Sequence, residues 1–246
     1  MNKQWSLIVV EDGEKVAKKA AEHMRDQLKA KPESVLALPT GRTPLGMYGE
    51  LVRMCERGEV DFSPTTVFDL DEFYSLPPEH PASFASYLNT HFLERVPLGR
   101  VVLLNGIAPD PEAECARVEE EIRRIGGVDL AILGIGRNGH IAFNEPGSRV
   151  DSRTRLVALT DSTRRASRGC FPVGEEAPYT ALTMGVSTIL AARAILLLAI
   201  GPQKASILAR ALCGSVTGDI PASWLQQHPR LTIIADCQAA ARFHEA

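Results

Sequence analysis

Seven short apolar runs rich in branched side chains recur along this chain, at 6–10, 34–39, 65–70, 101–105, 129–136, 194–200 and 231–236. Most are apolar throughout rather than alternating with polar residues, which is the pattern of strands buried on both faces of a parallel sheet. Between them lie segments with helical spacing, at 13–30, 44–57, 81–94, 110–125, 185–191, 202–213 and 221–227. Parallel strands need a crossover, so strict alternation of strand and helix predicts an α/β fold: a doubly wound, mostly parallel sheet with helices on both faces. No repeat, low-complexity tract or linker divides the 246 residues, and a single domain over 1–246 is expected. The 45% hydrophobic content suffices for one large core.

Charge and targeting signals narrow the function. A formal net charge of −3 and a pI near 6.1 give no bulk attraction to nucleic acid or an anionic membrane. Any phosphate bound here must be caught locally, which favours a small ligand. The N-terminal segment MNKQWSLIVVEDGEKV lacks the long apolar stretch and small-residue cleavage site of a signal peptide, so a cytoplasmic location is expected. The most apolar run, 194–200, is bounded by Arg193 and by Gly201 and Pro202, well short of the ~20 residues that span a bilayer. Five cysteines at irregular spacings, with no C-x-x-C pair and no histidine ladder, read as reduced structural thiols with no metal site.

In open sheets of this class ligands bind beyond the carboxyl ends of the strands, so the strand exits are where chemistry is to be sought. After 34–39 comes Thr40-Gly41-Arg42-Thr43-Pro44, with proline suited to a first helical turn. Free N–H groups at a helix start and two threonine hydroxyls make either a phosphate cradle or a plain strand-to-helix turn. No Gly-Lys-Ser/Thr follows, so this is not a Walker loop. After 65–70 come Asp71 and Glu72, adjacent carboxylates where a buried strand emerges. They serve either as a base for taking a proton from carbon or as loop acids and a helix cap.

The third exit is the richest: Gly134-Ile135-Gly136-Arg137-Asn138-Gly139-His140-Ile141-Ala142-Phe143-Asn144-Glu145. Its glycines allow backbone to approach a ligand closely, and His140, bracketed by Asn138 and Glu145, can carry protons near neutral pH. At the fourth, Gly201-Pro202-Gln203-Lys204, a lysine at a helix start either meets a phosphate as a point charge or is solvated. The stretch 145–178 is polar, Arg-rich and poor in strand or helix signal, as expected of a functional loop or lid.

Taken together, the segments LPTGRTPLGMY, DLDEFYSLPPEHPASF, LLNGIAPDPEAEC, LGIGRNGHIAFNEPGS, SRTR, ALTMGVSTIL and GPQKA resemble the glucosamine-6-phosphate deaminases, also called isomerases. That family lies within a wider group that includes the 6-phosphogluconolactonases. The resemblance runs from about residue 5 to 236. The lactonases share the G-x-G-x-x-G-H core, whereas HIAFNEPGS is similar to the deaminase continuation. The resemblance implies a Rossmann-like fold with no cofactor and no metal, acting on a hexosamine phosphate in amino-sugar catabolism.

Position by position, it places Asp71 as the base moving a proton between C2 and C1, His140 as the ring-opening residue and Glu145 as its supporting acid. Asn138 falls where the family has Asp or Asn. Thr40, Gly41, Thr43 and Lys204 fall on phosphate positions, and 162–180 on the lid. Two departures sit at the phosphate end. Arg42 replaces the second glycine of the usual T-G-G-T, where it either clamps phosphate or blocks backbone approach. Gly169 stands where the family has a lid arginine, with Arg168 one residue earlier. A galactosamine-6-phosphate enzyme and a non-catalytic sugar-phosphate sensor are therefore alternatives. The short C-terminal segment after Asp236 leads to an expected monomer or small homo-oligomer.

Overall fold

The computed structural model describes residues 5–243. Seven parallel strands form one sheet: β1 (Ser6–Val10), β2 (Val35–Leu38), β3 (Thr66–Asp69), β5 (Arg100–Val102), β6 (Leu130–Gly134), β9 (Ala194–Ala199) and β10 (Leu231–Asp236). They lie in the order β1-β10-β9-β6-β2-β3-β5. Along β6 the side chains alternate between faces, Leu130 and Ile132 to one core, Ala131 and Leu133 to the other. Helices α1 (Gly13–Ala30), α2 (Arg42–Glu56) and α3 (Phe84–His91) cover the first face, and α4 (Pro111–Arg124), α6 (Val186–Leu190) and α7 (Ala205–Cys213) the second. The doubly wound α/β architecture expected from the alternation is thus present.

The seven expected strands all form, but not all are buried. Those at the two edges, β1 and β5, are only partly covered because each has a neighbour on one side alone. Helix boundaries shift as well. Segment 81–94 shortens to α3 followed by a 3-10 turn at Leu93–Arg95, and 221–227 is a 3-10 helix throughout. Segment 202–213 opens with a 3-10 turn before α7, and α2 starts at Arg42 rather than at Pro44.

The larger correction is a second, antiparallel sheet of three short strands in the order β4-β8-β7: β4 (Asp71–Phe73), β8 (Thr180–Thr183) and β7 (Arg155–Ala158). Residues 71–73 are therefore a strand, not a loop leaving β3. The stretch 145–178 is likewise not featureless, since it holds β7 and helix α5 (Asp161–Ser167). These elements are three to seven residues long and polar, so neither hydrophobic period had room to register. Beneath the small sheet a separate aromatic cluster gathers Phe73, Phe143 and Phe171.

Two buried carboxylates fix neighbouring strand ends where the ladders stop. Asp69, closing β3, accepts the Leu104 N–H with both oxygens. Asp236, closing β10, accepts the Gly201 N–H at 2.9 Å and the Ala239 N–H at 2.7 Å. Asp236→Ala strands both amides without an acceptor and is expected to lower stability by about 2–4 kcal/mol, read as a reduced urea midpoint followed by circular dichroism.

Candidate active site

The four strand exits singled out in the sequence belong to four consecutive strands, β9-β6-β2-β3, in the middle of the sheet. All run parallel, so their carboxyl ends open on one side. The winding reverses between β2 and β6, because the chain proceeds outward through β3 and β5 and then returns to the other side of β2. A crevice at such a reversal is where a doubly wound sheet binds its ligand.

Beyond β6 the chain folds back tightly. The Gly136 amide donates to the His140 carbonyl at 2.9 Å, and His140 N–H donates to Asn138 Oδ1 at 3.2 Å. The imidazole lies directly over Gly136, where a Cβ would stand 2.3 Å from Nε2, so a side chain at 136 and this histidine position exclude each other. His140 Nδ1 is shielded from solvent and stands 3.6 Å from Glu145 Oε2. Asn138 Nδ2 donates to that same oxygen at 2.7 Å. Burial alone would raise the Glu145 pKa, but His140, Thr163 and Asn138 more than offset it and bring it to about 2. Glu145 is thus a fixed anion beside the imidazole.

Asp71 has the opposite environment. It is 7% exposed, and burial, followed by repulsion from Glu72, pushes its pKa up to about 8. The neighbouring carboxylate is structural: Glu72 accepts from the Ser83 hydroxyl and from the amides of Phe73, Phe84 and Ala85, which caps the start of α3. Of the two readings of this carboxylate pair, the helix cap applies to Glu72. Strand β8 connects Asp71 to the histidine loop. Thr183 is the cross-strand partner of Asp71, and its Oγ1 accepts the Phe143 N–H at 3.1 Å.

At the other end of the crevice, α2 begins at Gly41, whose φ of 96° is open to glycine, and no side chain caps the free N–H groups of its first turn. Thr40 and Thr43 flank this opening, partly buried, and Arg42 is exposed. Tyr87 donates its hydroxyl to the Gly41 carbonyl at 2.6 Å. Lys204 reaches across from β9 to donate to the Ile135 carbonyl at the end of β6. Burial, and then the nearby Arg137, lower its pKa. Among the described residues no cluster of His, Cys, Asp and Glu is arranged to hold a metal ion.

Comparison with known proteins supports the same reading of the chain. The family model for glucosamine-6-phosphate isomerases/6-phosphogluconolactonase matches residues 11–233. The glucosamine-6-phosphate deaminase of Halothermothrix orenii is 46% identical over 237 residues, covering 96% of this chain and 98% of that protein. Glucosamine-6-phosphate deaminase 2 of Bacillus subtilis is 41% identical over 98% of each chain. Among solved structures, a monomeric glucosamine-6-phosphate deaminase superposes with a TM-score of 0.92 at 39% identity, over 96% of this chain and 99% of the other. A 6-phosphogluconolactonase from Shewanella baltica shares the fold, with a TM-score of 0.76 at 20% identity, over 96% and 99%.

The chain belongs to the glucosamine-6-phosphate isomerase/6-phosphogluconolactonase family.

Within this family frame the lid region has several groups that residue spacing left unmarked. Arg168 is exposed and opens a 3-10 turn ending at Cys170. Cys170 lies close enough to Tyr87 to act on its hydroxyl electrostatically, so the turn borders the Tyr87–Gly41 contact. Thr160 donates to Glu145 Oε1 at 3.3 Å, and Thr163 in the same turn helps lower the Glu145 pKa. The sequence did carry a signal for Thr160, a threonine followed by Asp161 ahead of a polar segment, which is an N-cap pattern. Nothing in residue spacing marked Tyr87, Arg137 or Thr183, since each acts through tertiary contact.

The raised Asp71 pKa has a consequence for stability. The folded state prefers the neutral acid up to pH of about 8, whereas the unfolded chain ionises it near 3.8. Over that window the unfolded state binds fewer protons, so this residue's contribution falls as pH rises. Asp71→Asn, neutral at every pH, should match wild type near pH 4 and exceed it by more than about 1 kcal/mol near pH 9, as measured by thermal unfolding at both pH values.

Proposed function

We propose that this chain is a glucosamine-6-phosphate deaminase, converting glucosamine 6-phosphate to fructose 6-phosphate and ammonia within a single domain. The observation that carries the reading is the pairing of two carboxylates in opposite states, Asp71 with its pKa at about 8 and Glu145 at about 2, with His140 beside the second. Environments that push titratable groups apart assign them different roles.

Glu145 and Asn138 hold the His140 loop, and Glu145 favours the tautomer with its proton on Nδ1, leaving Nε2 as the acceptor. Nε2 takes the proton of the anomeric hydroxyl as the bond between C1 and the ring oxygen breaks. The imidazolium passes that proton to the ring oxygen, leaving a C1 aldehyde and a neutral His140. Asp71 then removes the proton on C2 to give a cis-enolamine. A carboxylate with a raised pKa is a stronger base, and the substrate's own ammonium at C2 favours its ionised form. Asp71 returns the proton to C1, and water hydrolyses the C2 imine to release ammonia.

The phosphate is assigned to the α2 N-terminus with Thr40, Gly41 and Thr43, to Lys204, and to Arg42 and Arg168 at the exposed rim. Orientation by this distant group supports rate as well as affinity. The proposal includes a cytoplasmic monomer or small homo-oligomer. No helix among the described residues is long and apolar enough to cross a membrane.

The test is ammonia release from purified protein offered glucosamine 6-phosphate and galactosamine 6-phosphate in parallel. Release from the gluco epimer is expected. Preference for the galacto epimer would move the substrate assignment, and saturable binding of both without product would make the chain a sensor. Asp71→Asn is expected to reduce turnover by about a thousandfold while an acyclic hexosaminitol phosphate still binds, and His140→Gln by about a hundredfold. A fully active Asp71→Asn protein would falsify the assignment of the base.

A further inference from the structure

Helix α5 is polar along its whole length, with the sequence DSTRRAS, and the one residue it buries is Thr163, 5% exposed. Surface helices dock through an apolar stripe. This one presents a hydroxyl to the body of the protein, and that hydroxyl faces Glu145, where it helps hold the carboxylate pKa down.

Its neighbour in the same turn does likewise. Thr160, the N-cap of α5, donates from Oγ1 to Glu145 Oε1 at 3.3 Å. It also lies 3.3 Å from Thr163 Oγ1 and accepts the Thr163 N–H at 3.2 Å. The two oxygens of Glu145 are therefore divided between two parts of the protein. Oε2 accepts from Asn138 and faces His140 Nδ1, while Oε1 is held by the lid.

A carboxylate anchored at one oxygen alone can turn about its terminal bond, and donors on both oxygens hold its plane. The segment that supplies the second set is itself latched. Arg164 donates to the Ala177 carbonyl at 3.0 Å, pairs with Glu176 at 3.2 Å and stacks on the Tyr179 ring at 3.6 Å. Since the donor to Oε1 comes from the N-cap of α5, the orientation of Glu145, and with it the His140 tautomer, depends on α5 being seated.

From this geometry we infer that the Thr160–Thr163 hydroxyl pair, in which Thr163 seats the Thr160 hydroxyl on Glu145 Oε1, is a positioning pair that makes ring opening at His140 conditional on docking of α5. This deepens the proposed deaminase reading and rests on the His140–Glu145 role within it.

The test compares Thr163→Val, which keeps the shape and removes the hydroxyl, with Thr163→Ser, which keeps the hydroxyl. In steady-state ammonia release the valine variant, which leaves the Thr160 hydroxyl without its Thr163 partner and loosens its charge-assisted bond to Glu145, should lose about tenfold in kcat, with KM changed by less than about twofold. The serine variant should retain at least about half of wild-type kcat by restoring that bond. In a Glu145→Gln background, Thr163→Val should cost nothing further, because the group it positions is already altered.

Equal losses in the valine and serine variants, a loss confined to KM, or additive losses in the double variant would overturn the inference. If the valine variant does not fold, Thr163→Cys, a weak donor of similar size, takes its place under the same criteria. A readout independent of turnover is the imidazole of His140 in protein labelled with nitrogen-15 at histidine. Wild type should show the single Nδ1–H tautomer and Thr163→Val a mixture, whereas identical spectra would also overturn it. Wild-type protein that releases no ammonia while its histidine spectrum responds to Thr163→Val would refute the deaminase reading and leave the positioning role intact.

Discussion

Strand β8 is the element on which the geometry of this site depends. It is four residues long, and Thr183 within it touches three parts of the machinery at once. Its backbone pairs with Asp71 on one side and Arg155 on the other, and its hydroxyl accepts the amide of Phe143 from the histidine loop. The next residue, Met184, gives its carbonyl to Asn144 Nδ2, while its own amide donates to the Leu70 carbonyl. The large sheet delivers Asp71 and His140 only to the same edge, on strands separated by β2. The small sheet turns that rough proximity into a fixed relation between Asp71 and the Glu145–His140 pair. A spread of even about 1 Å between such groups is costly to catalysis, which gives a physical reason for a second sheet to sit across the carboxyl ends of the first.

Backbone placement by β4, β8 and the β6 exit leaves the protonation states to local surroundings. Asp71 and Glu145 are carboxylates in one site, both largely removed from water. Asp71 gains a carboxylate neighbour, Glu72, and burial dominates. Glu145 is surrounded by donors, and these prevail over burial. Glu72 is a third case, held by three hydrogen bonds from the start of α3 and one from the Phe73 amide, so that it supplies repulsion to Asp71 without being a candidate base itself. Adjacent acids in sequence have become a helix cap and a carboxyl of raised pKa because a strand sends alternate side chains to opposite faces.

Much of this was legible in the residues. The apolar runs marked all seven strands of the main sheet, and Gly, Pro and Thr at the exits of β2, β6 and β9, with the adjacent acids at the exit of β3, marked the candidate site. What escaped was short and polar. Strands β4, β7 and β8 and helix α5 are too short to carry an extended hydrophobic period, and the strands are stabilised by pairing with one another between the Phe73, Phe143 and Phe171 cluster and the main core, which receives Leu156 and Leu182. Such elements exist through tertiary contact, and propensity alone cannot announce them. The same holds for Tyr87, whose bond to Gly41 joins residues 46 positions apart.

The distribution of rigidity follows from these supports. At the proton-transfer end every group is braced by backbone or by buried donors: Glu72 by α3, Asn144 by β8 and Arg155, and the imidazole by the backbone of Gly136 beneath it. At the phosphate end the helix start and Lys204 are fixed, but Arg42 and Arg168 are exposed and free of such bracing. A phosphate carries its charge on several equivalent oxygens and tolerates a shift of one cationic partner. A C2 proton does not tolerate a shift of its base. The departures from the family resemblance, Arg42 and Gly169, therefore fall where geometry is permissive, and the residues proposed to move protons fall where it is not.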